Sequence, residues 1–568
     1  MATRQQTSEE VKRTAVGRLA WQAAQRDDQE VAQAVHQGEE LDAIYNLDEA
    51  GLLDEFYHFL ELIGFLRLIG KLELPTVERV LIPMVQFVLL YLLKTLYGIE
   101  SMNALPTLLF SNIALMTLIG FNAYQVANGF TRRGDDRRRK KPKQGPLSPQ
   151  CLAENICKFS TEQMEAFFNG VVRLIVGLGL LRGELTVALD GSQLPTTKKY
   201  QGCGCLRVER EVKDKRTGQS IKLARLVFGW KILVLIEVRT RLPLAARVVK
   251  IEEYEGRWLV PLLKQARANL GERAHIAKVV VDRGYLDGED LWQVDQLGLI
   301  FVVMAKAGMI VREDAQALAR GEEAKERVEG VHHGHGSKAW IEQVKTRLIG
   351  IAGLTTYDDY GSQEHSRQRN RKDFEGNPIN AVVVVTWKNK DQESEDKAHV
   401  LLTNGPVDDP FVAFDGYDWR SVIENGIFKE GKHPWNLRHF PKKTEAAVVV
   451  HCFFTLAVMA LCTAFRLWKA QGASESEPEP QRNEPEAKAR AQTESQPLEI
   501  TLLGGEGAQR WRRRLKAENR DKVIVFVGEH YGIFHVAELA VLGGLRIKSL
   551  PQELGSSQAI LARYGLSP

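Results

Sequence analysis

Leu185–Ser192 reads LTVALDGS and Ile276–Tyr285 reads IAKVVVDRGY. Each is a short run of aliphatic and β-branched residues that ends on an aspartate. Apolar runs of this length, bounded by turn residues, read as strands buried on both faces of a sheet. Runs of the same texture lie around them: Leu226–Val238 (LVFGWKILVLIEV), Leu244–Val249 and Leu299–Met304 (LIFVVM). Helical stretches fall near Arg257–Leu270 and Gly288–Leu297. The order is three strands, helix, strand, helix, strand. A helix between successive strands predicts parallel pairing with helices over the sheet, an α/β core. In such sheets ligand chemistry sits beyond the carboxyl ends of strands. Asp190 and Asp282 are therefore expected to share a site, although a single aspartate in that place is ordinarily a turn or helix cap.

The remainder of the chain sets bounds. It has 568 residues, 44% hydrophobic and 26% charged, an ordinary globular balance that excludes wholesale disorder and a small disulfide scaffold. Net charge is +4, from 76 basic and 72 acidic residues, so any nucleic-acid argument must rest on local clusters. Six cysteines and a start unlike a signal peptide lead to the expectation of a reducing cytoplasm. Residues 446–465 (AAVVVHCFFTLAVMALCTAF) could span a bilayer by length. His451 and two threonines interrupt the run and mean hydropathy is −0.23, so it reads as a helix buried in a soluble core, with no membrane partner. Met84–Ile99 is shorter, carries Lys94, and reads the same way.

Residues 1–72 read as a polar, then helical, extension. Residues 73–180 are helical, interrupted by Arg132–Lys143 (RRGDDRRRKKPK), which includes Arg137, Arg138, Arg139, Lys140 and Lys141. That run is either a solvated loop or a set of phosphate contacts with steep salt dependence. Residues 181–310 hold the α/β core. Residues 311–415 are mixed, with strands at Ala381–Trp387 and Ala398–Leu402, and 416–470 are helical again. Residues 471–497 carry six Glu and four Pro, a linker composition. Residues 499–568 form a small unit with a strand at Lys522–Val527.

A third acid lies in YDWRSVIENGIFKEGK, residues 417–432. Steps of three and four place Tyr417, Arg420 and Glu424 near one face if a helix runs through them; Arg420 and Glu424 could equally be a surface ion pair. Together, VALDGS, FGWKILVLIEVRTRLPLAARVV, VVVDRGY, LLTNGPV and YDWRSVIENGIFKEGK resemble the DDE transposases of bacterial insertion sequences. The match is to the group with a Tyr-x2-Arg-x3-Glu-x6-Lys signature, over about 185–310 and 398–468. The signature lysine would fall at Gly431; Lys432 is one residue late, and Lys429 is a second candidate.

The resemblance implies an RNase H-like core with a mixed sheet. The 142 residues between Asp282 and Glu424 (424 − 282) imply a β-rich insertion domain over 311–415. It implies Asp190, Asp282 and Glu424 as catalytic metal ligands. Three close carboxylates repel one another, and oxygen-only donors favour Mg²⁺ or Mn²⁺, here two ions. Tyr417, Arg420, Lys429 and Lys432 would bind DNA near the scissile phosphate, with Arg438, Lys442 and Lys443 adding to the basic surface. The implied reaction is nicking at element ends, then strand transfer into target DNA, by way of a hairpin in similar enzymes. It needs no ATP, and no Walker-type loop is present. The implied assembly is a homodimer on paired ends in the bacterial cytoplasm, nucleoid-associated when bound to DNA. An insert tryptophan would stack on a flipped base; Trp340 and Trp387 match no motif, and core packing is the plainer role for each. Rival readings are a transposase-derived DNA-binding regulator and a Mg²⁺ nuclease without strand transfer. His332, His333 and His335 read as a polar loop. Cys151, Cys157, Cys203 and Cys205 lack zinc spacing. Glu253 and Glu255 read as surface charges.

Overall fold

The computed structural model describes residues 24–47, 54–72, 82–121, 126, 145–213, 220–333, 340–371, 374–388, 398–476, 520–542 and 546–547. The basic run 132–143 and residues 477–497 of the acidic linker lie outside them. The chain divides into two compact units, residues 1–174 with 431–568, and residues 175–430.

In the first unit the two chain ends build one sheet. Near the start lie β1 (Gln25–Arg26), β2 (Glu40–Leu41) and β3 (Ala43–Asn46); near the end lie β14 (Lys522–Val527), β15 (His530–His535) and β16 (Arg546–Ile547). The order is β1-β15-β14-β3, and β2 pairs with β16. The sequence reading separates 1–72 from 499–568. The structure joins them, because an isolated hairpin such as β14–β15 has too little apolar surface to stand alone. One face of the sheet packs Val523, Val525 and Phe534 with Val31, Val35 and Leu539. The other packs Ile524, Phe526 and Tyr531 with Tyr45, Tyr57, Ala114 and Leu118.

The helix Glu445–Ser476 has the length and composition of a membrane span, yet 94% of its apolar window is buried inside the protein. It packs with the helices Met84–Leu96 and Pro149–Ile156. Its one histidine, His451, is satisfied: Nε2 donates to the Asn436 carbonyl at 2.9 Å, and the Tyr91 hydroxyl lies 2.8 Å from Nδ1. Buried Lys94 has its pKa pulled down to about 8 by desolvation.

The second unit is built on one ten-stranded sheet. Its strands are β4 (Gly183–Thr196), β5 (Gly204–Lys213), β6 (Ser220–Glu237), β7 (Pro243–Lys250), β8 (Ala274–Val281), β9 (Ile300–Met304), β10 (Lys325–His333), β11 (Trp340–Leu354), β12 (Ile379–Lys388) and β13 (His399–Thr403). Strands β7, β6 and β4 are antiparallel, and β4, β8 and β9 are parallel, the mixed sheet of an RNase H-like core. The helices Leu259–Leu270 and Gly288–Gln296 supply the crossovers at the predicted places. Gly229, at φ 147°, lets β6 pass β4 closely; a β-carbon there would meet the Leu194 carbonyl at 2.2 Å.

The stretch expected as an insertion domain, 311–415, does not form a separate sheet. Its strands continue the core sheet in the order β10-β11-β12-β13-β9. Strand β9 would otherwise leave an edge of unpaired backbone groups, and β13 covers it. The helix Pro410–Asp418 then lies on this extension. Its Ala413, Phe411, Phe414 and Tyr417 pack on Val302, Leu348, Val382, Val384 and Leu401. Arg327 of β10 holds it by two hydrogen bonds to Asp415, at 3.1 and 2.5 Å, and lies over the Phe411 ring.

Candidate functional site

Leu189 of β4 and Val281 of β8 are register partners in a parallel pair. Asp282 follows the last residue of β8, whereas Asp190, expected from the sequence to end its strand, lies within β4, which runs on to Thr196 paired with β6; the two aspartates sit side by side where β8 stops. Both aspartates make local backbone bonds of the kind a turn would use. Asp190 Oδ1 accepts from Gly191 N at 2.7 Å, and Asp282 Oδ1 accepts from Arg283 N at 2.6 Å. These bonds orient the carboxyl groups. Burial lifts the Asp190 pKa to about 6; the Gly191 N–H and Arg420 oppose the rise, and the charges of Asp282 and Glu255 add to it.

Arg420 reaches this pair. Its Nη1 lies 3.7 Å from Asp190 Oδ2, so it pairs with Asp190 and not with Glu424. Its guanidinium also lies over the Tyr417 ring. The Tyr417 pKa is raised above the usual phenol value, chiefly by burial; Arg420 works against the rise and the charge of Asp282 adds to it.

The signature segment is not one continuous α-helix. The helix Pro410–Asp418 ends, a turn carries Arg420, and a π-helix follows over Ile423–Lys429. Wide π turns recur at functional sites. This one packs against β4. Glu424 is exposed on it. Among the described residues, no group of three or more His, Cys, Asp or Glu is arranged to hold a metal ion. The structure thus brings two of the three predicted acids together. Lys429 is exposed on the same π-helix, and Lys432 falls in the other unit. Residues Arg137 to Lys141 lie outside the described residues. Trp340 is half exposed at the start of β11, and Trp387 lies beneath Lys345, whose Nζ is 5.0 Å from the ring centre. Neither tryptophan is a core residue.

Sequence reasoning missed the support beneath Asp190. Glu255, read as a surface charge, lies against the chain there: a β-carbon on residue 191 would come within 2.6 Å of its Oε2. Lys231 Nζ donates to Glu255 Oε1 at 2.9 Å and to the Glu253 carbonyl at 2.7 Å. Lys231 is buried within β6. A lone lysine inside LVFGWKILVLIEV was the available signal, because a buried charge requires a partner. Beside them Tyr285 is fully buried, and its phenol is held protonated by burial and by the charges of Glu255, Asp190 and Asp282.

The transposase DDE domain family matches residues 181–461. No curated protein matches the chain. Among solved structures, it is similar to a piggyBac transposase synaptic complex with hairpin DNA, determined by cryo-electron microscopy. Identity is 9% and the TM-score 0.33, over 81% of this chain and 80% of that one. With Asp190 and Asp282 side by side inside the matched stretch, the chain belongs to the DDE transposases.

Proposed function

We propose that the protein cuts DNA at the ends of a bacterial insertion sequence and joins the freed 3′-OH to target DNA. The observation that carries this is the Asp190–Asp282 pair, side by side on adjacent parallel strands at the point where β8 ends. The charge of Asp282 adds to the raised proton affinity of Asp190, and two adjacent oxygen-donor carboxylates suit a hard divalent cation. Asp190 and Asp282 would hold Mg²⁺ or Mn²⁺, while Glu424 enters the assignment through family resemblance alone. Such an ion supplies Lewis-acid charge at a phosphodiester oxygen. Arg420 would meet the phosphate next to Asp190, Lys429 would contact the backbone beside it, and Tyr417 would orient Arg420. DNA, a homodimer on paired ends and a cytoplasmic, nucleoid-associated location belong to the same proposal.

The exposure of Glu424 favours a second reading, a transposase-derived DNA binder without chemistry. One experiment separates the two. Cleavage of the element's own terminal repeat is followed in Mg²⁺ or Mn²⁺ with wild type, Asp190→Asn and Glu424→Gln. Loss of cutting in Asp190→Asn supports the transposase. Binding without any cutting by wild type supports the second reading, and equal cutting by Glu424→Gln removes Glu424 from the site.

A further inference from the structure

The turn from β6 to β7 is organised by a buried carboxylate. Glu237 is 2% exposed. It accepts from Arg239 N at 3.0 Å, and from both the backbone N and the hydroxyl of Thr240 at 2.6 Å. Backbone bonds close the turn: Glu237 N donates to the Leu242 carbonyl, and Arg241 N donates to the Glu237 carbonyl, each at 2.9 Å. Arg241 sits at φ 60°, a left-handed conformation that a non-glycine residue holds only at a cost in strain and that clusters at functional positions.

The turn displays Arg239 and Arg241, both exposed. Both meet the signature segment. The Arg239 guanidinium lies 5.7 Å over the Trp419 ring, and a β-carbon on Gly426 would touch Arg241 Cδ at 3.4 Å. Other arginines of this unit, such as Arg207, Arg257 and Arg369, pair with acids. Among the described residues, the guanidinium groups of Arg239 and Arg241 have no carboxylate partner.

We infer that this braced turn is a phosphate clasp for the backbone of duplex DNA, set beside the segment that carries Arg420 and Lys429. The inference rests on the transposase reading above. Two guanidinium forks without acidic partners suit phosphate, and a locked turn loses little freedom on binding. The clasp reads charge and shape, not sequence.

The test uses the full chain and a random-sequence duplex, with affinity measured by fluorescence anisotropy over a salt series. Each phosphate contact contributes about 0.9 to the slope of log affinity against log salt. Arg239→Gln and Arg241→Asn are each expected to lower that slope by about one. Arg241→Gly, which suits the left-handed backbone while removing the side chain, should do the same, and Arg→Lys at either position should restore it. An unchanged slope in all three charge-removing variants overturns the clasp; so does a fall in melting temperature with the slope intact, which makes the arginines struts for Trp419. Failure of the wild type itself to bind the duplex is a distinct result, and it strikes the transposase reading instead.

Discussion

Arg420 Nη1 lies 3.7 Å from Asp190 Oδ2, so a protein cation stands where a divalent ion would approach the aspartate pair. The two positive charges compete for one carboxylate. Arg420→Gln should therefore tighten Mn²⁺ binding to the DNA-free protein, by up to about tenfold, the factor given by about 1.4 kcal/mol. The same change should slow nicking, since a phosphate contact is lost. Calorimetric titration with Mn²⁺ checks the first half, and weaker Mn²⁺ binding would refute the competition.

Asp190 has a second consequence. Its pKa is raised from 3.8 to about 6, so the folded protein prefers it protonated. That preference stabilises the fold fully below pH 3.8 and is lost as pH rises through 6. In metal-free protein at pH 7.5, Asp190→Asn should raise stability, by about 1–3 kcal/mol. The gain should vanish near pH 4. Melting curves at pH 4, 6 and 7.5 decide it; a loss of stability at pH 7.5 would contradict the burial argument.

His451 works in the opposite sense. Burial lowers its pKa from 6.5 to about 3, so the fold excludes the charged form. The stability it lends is present above pH 6.5 and is lost as pH falls toward 3. From pH 6.5 to pH 5 the loss should reach about 2 kcal/mol. His451→Gln should flatten that part of the stability profile, whatever it does to the absolute value. A profile as steep as wild type would mean that another group titrates.

The joined chain ends make a mechanical prediction. Phe526 of β14 packs against Tyr45 of β3 and against Tyr531, with ring centres 6.1 and 5.9 Å apart. Phe526→Ala should cost about 3–5 kcal/mol. It should also release the distant segment 24–47 to limited proteolysis, because β3 loses its partner strand. Protection of 24–47 in that variant would show that the ends fold separately.

Much of this site was legible in the chain. LTVALD and IAKVVVD announce two buried strands by composition, and their parallel register then sets the two aspartates side by side, although β4 runs on past Asp190 to Thr196. The helices at 259–270 and 288–296 follow from apolar spacing and from the Asp287 cap. All of these are local signals, spread over 12 residues or fewer. Glu424 was not legible in this way. Its place depends on where the helix Pro410–Asp418 stops and how a π turn follows it, and those depend on a platform of strands β9 to β13.

Taken alone, the order of residues determined the core strands, the paired aspartates and the family signature, since local propensity and periodicity suffice for these. Only the folded chain decided that Arg420 turns to Asp190, that Lys231 neutralises Glu255 beneath it, and that strands nearly 480 residues apart share one sheet. The physical reason is that such contacts are chosen by burial and charge pairing between distant segments, where the cost of an unpaired buried group outweighs any local preference.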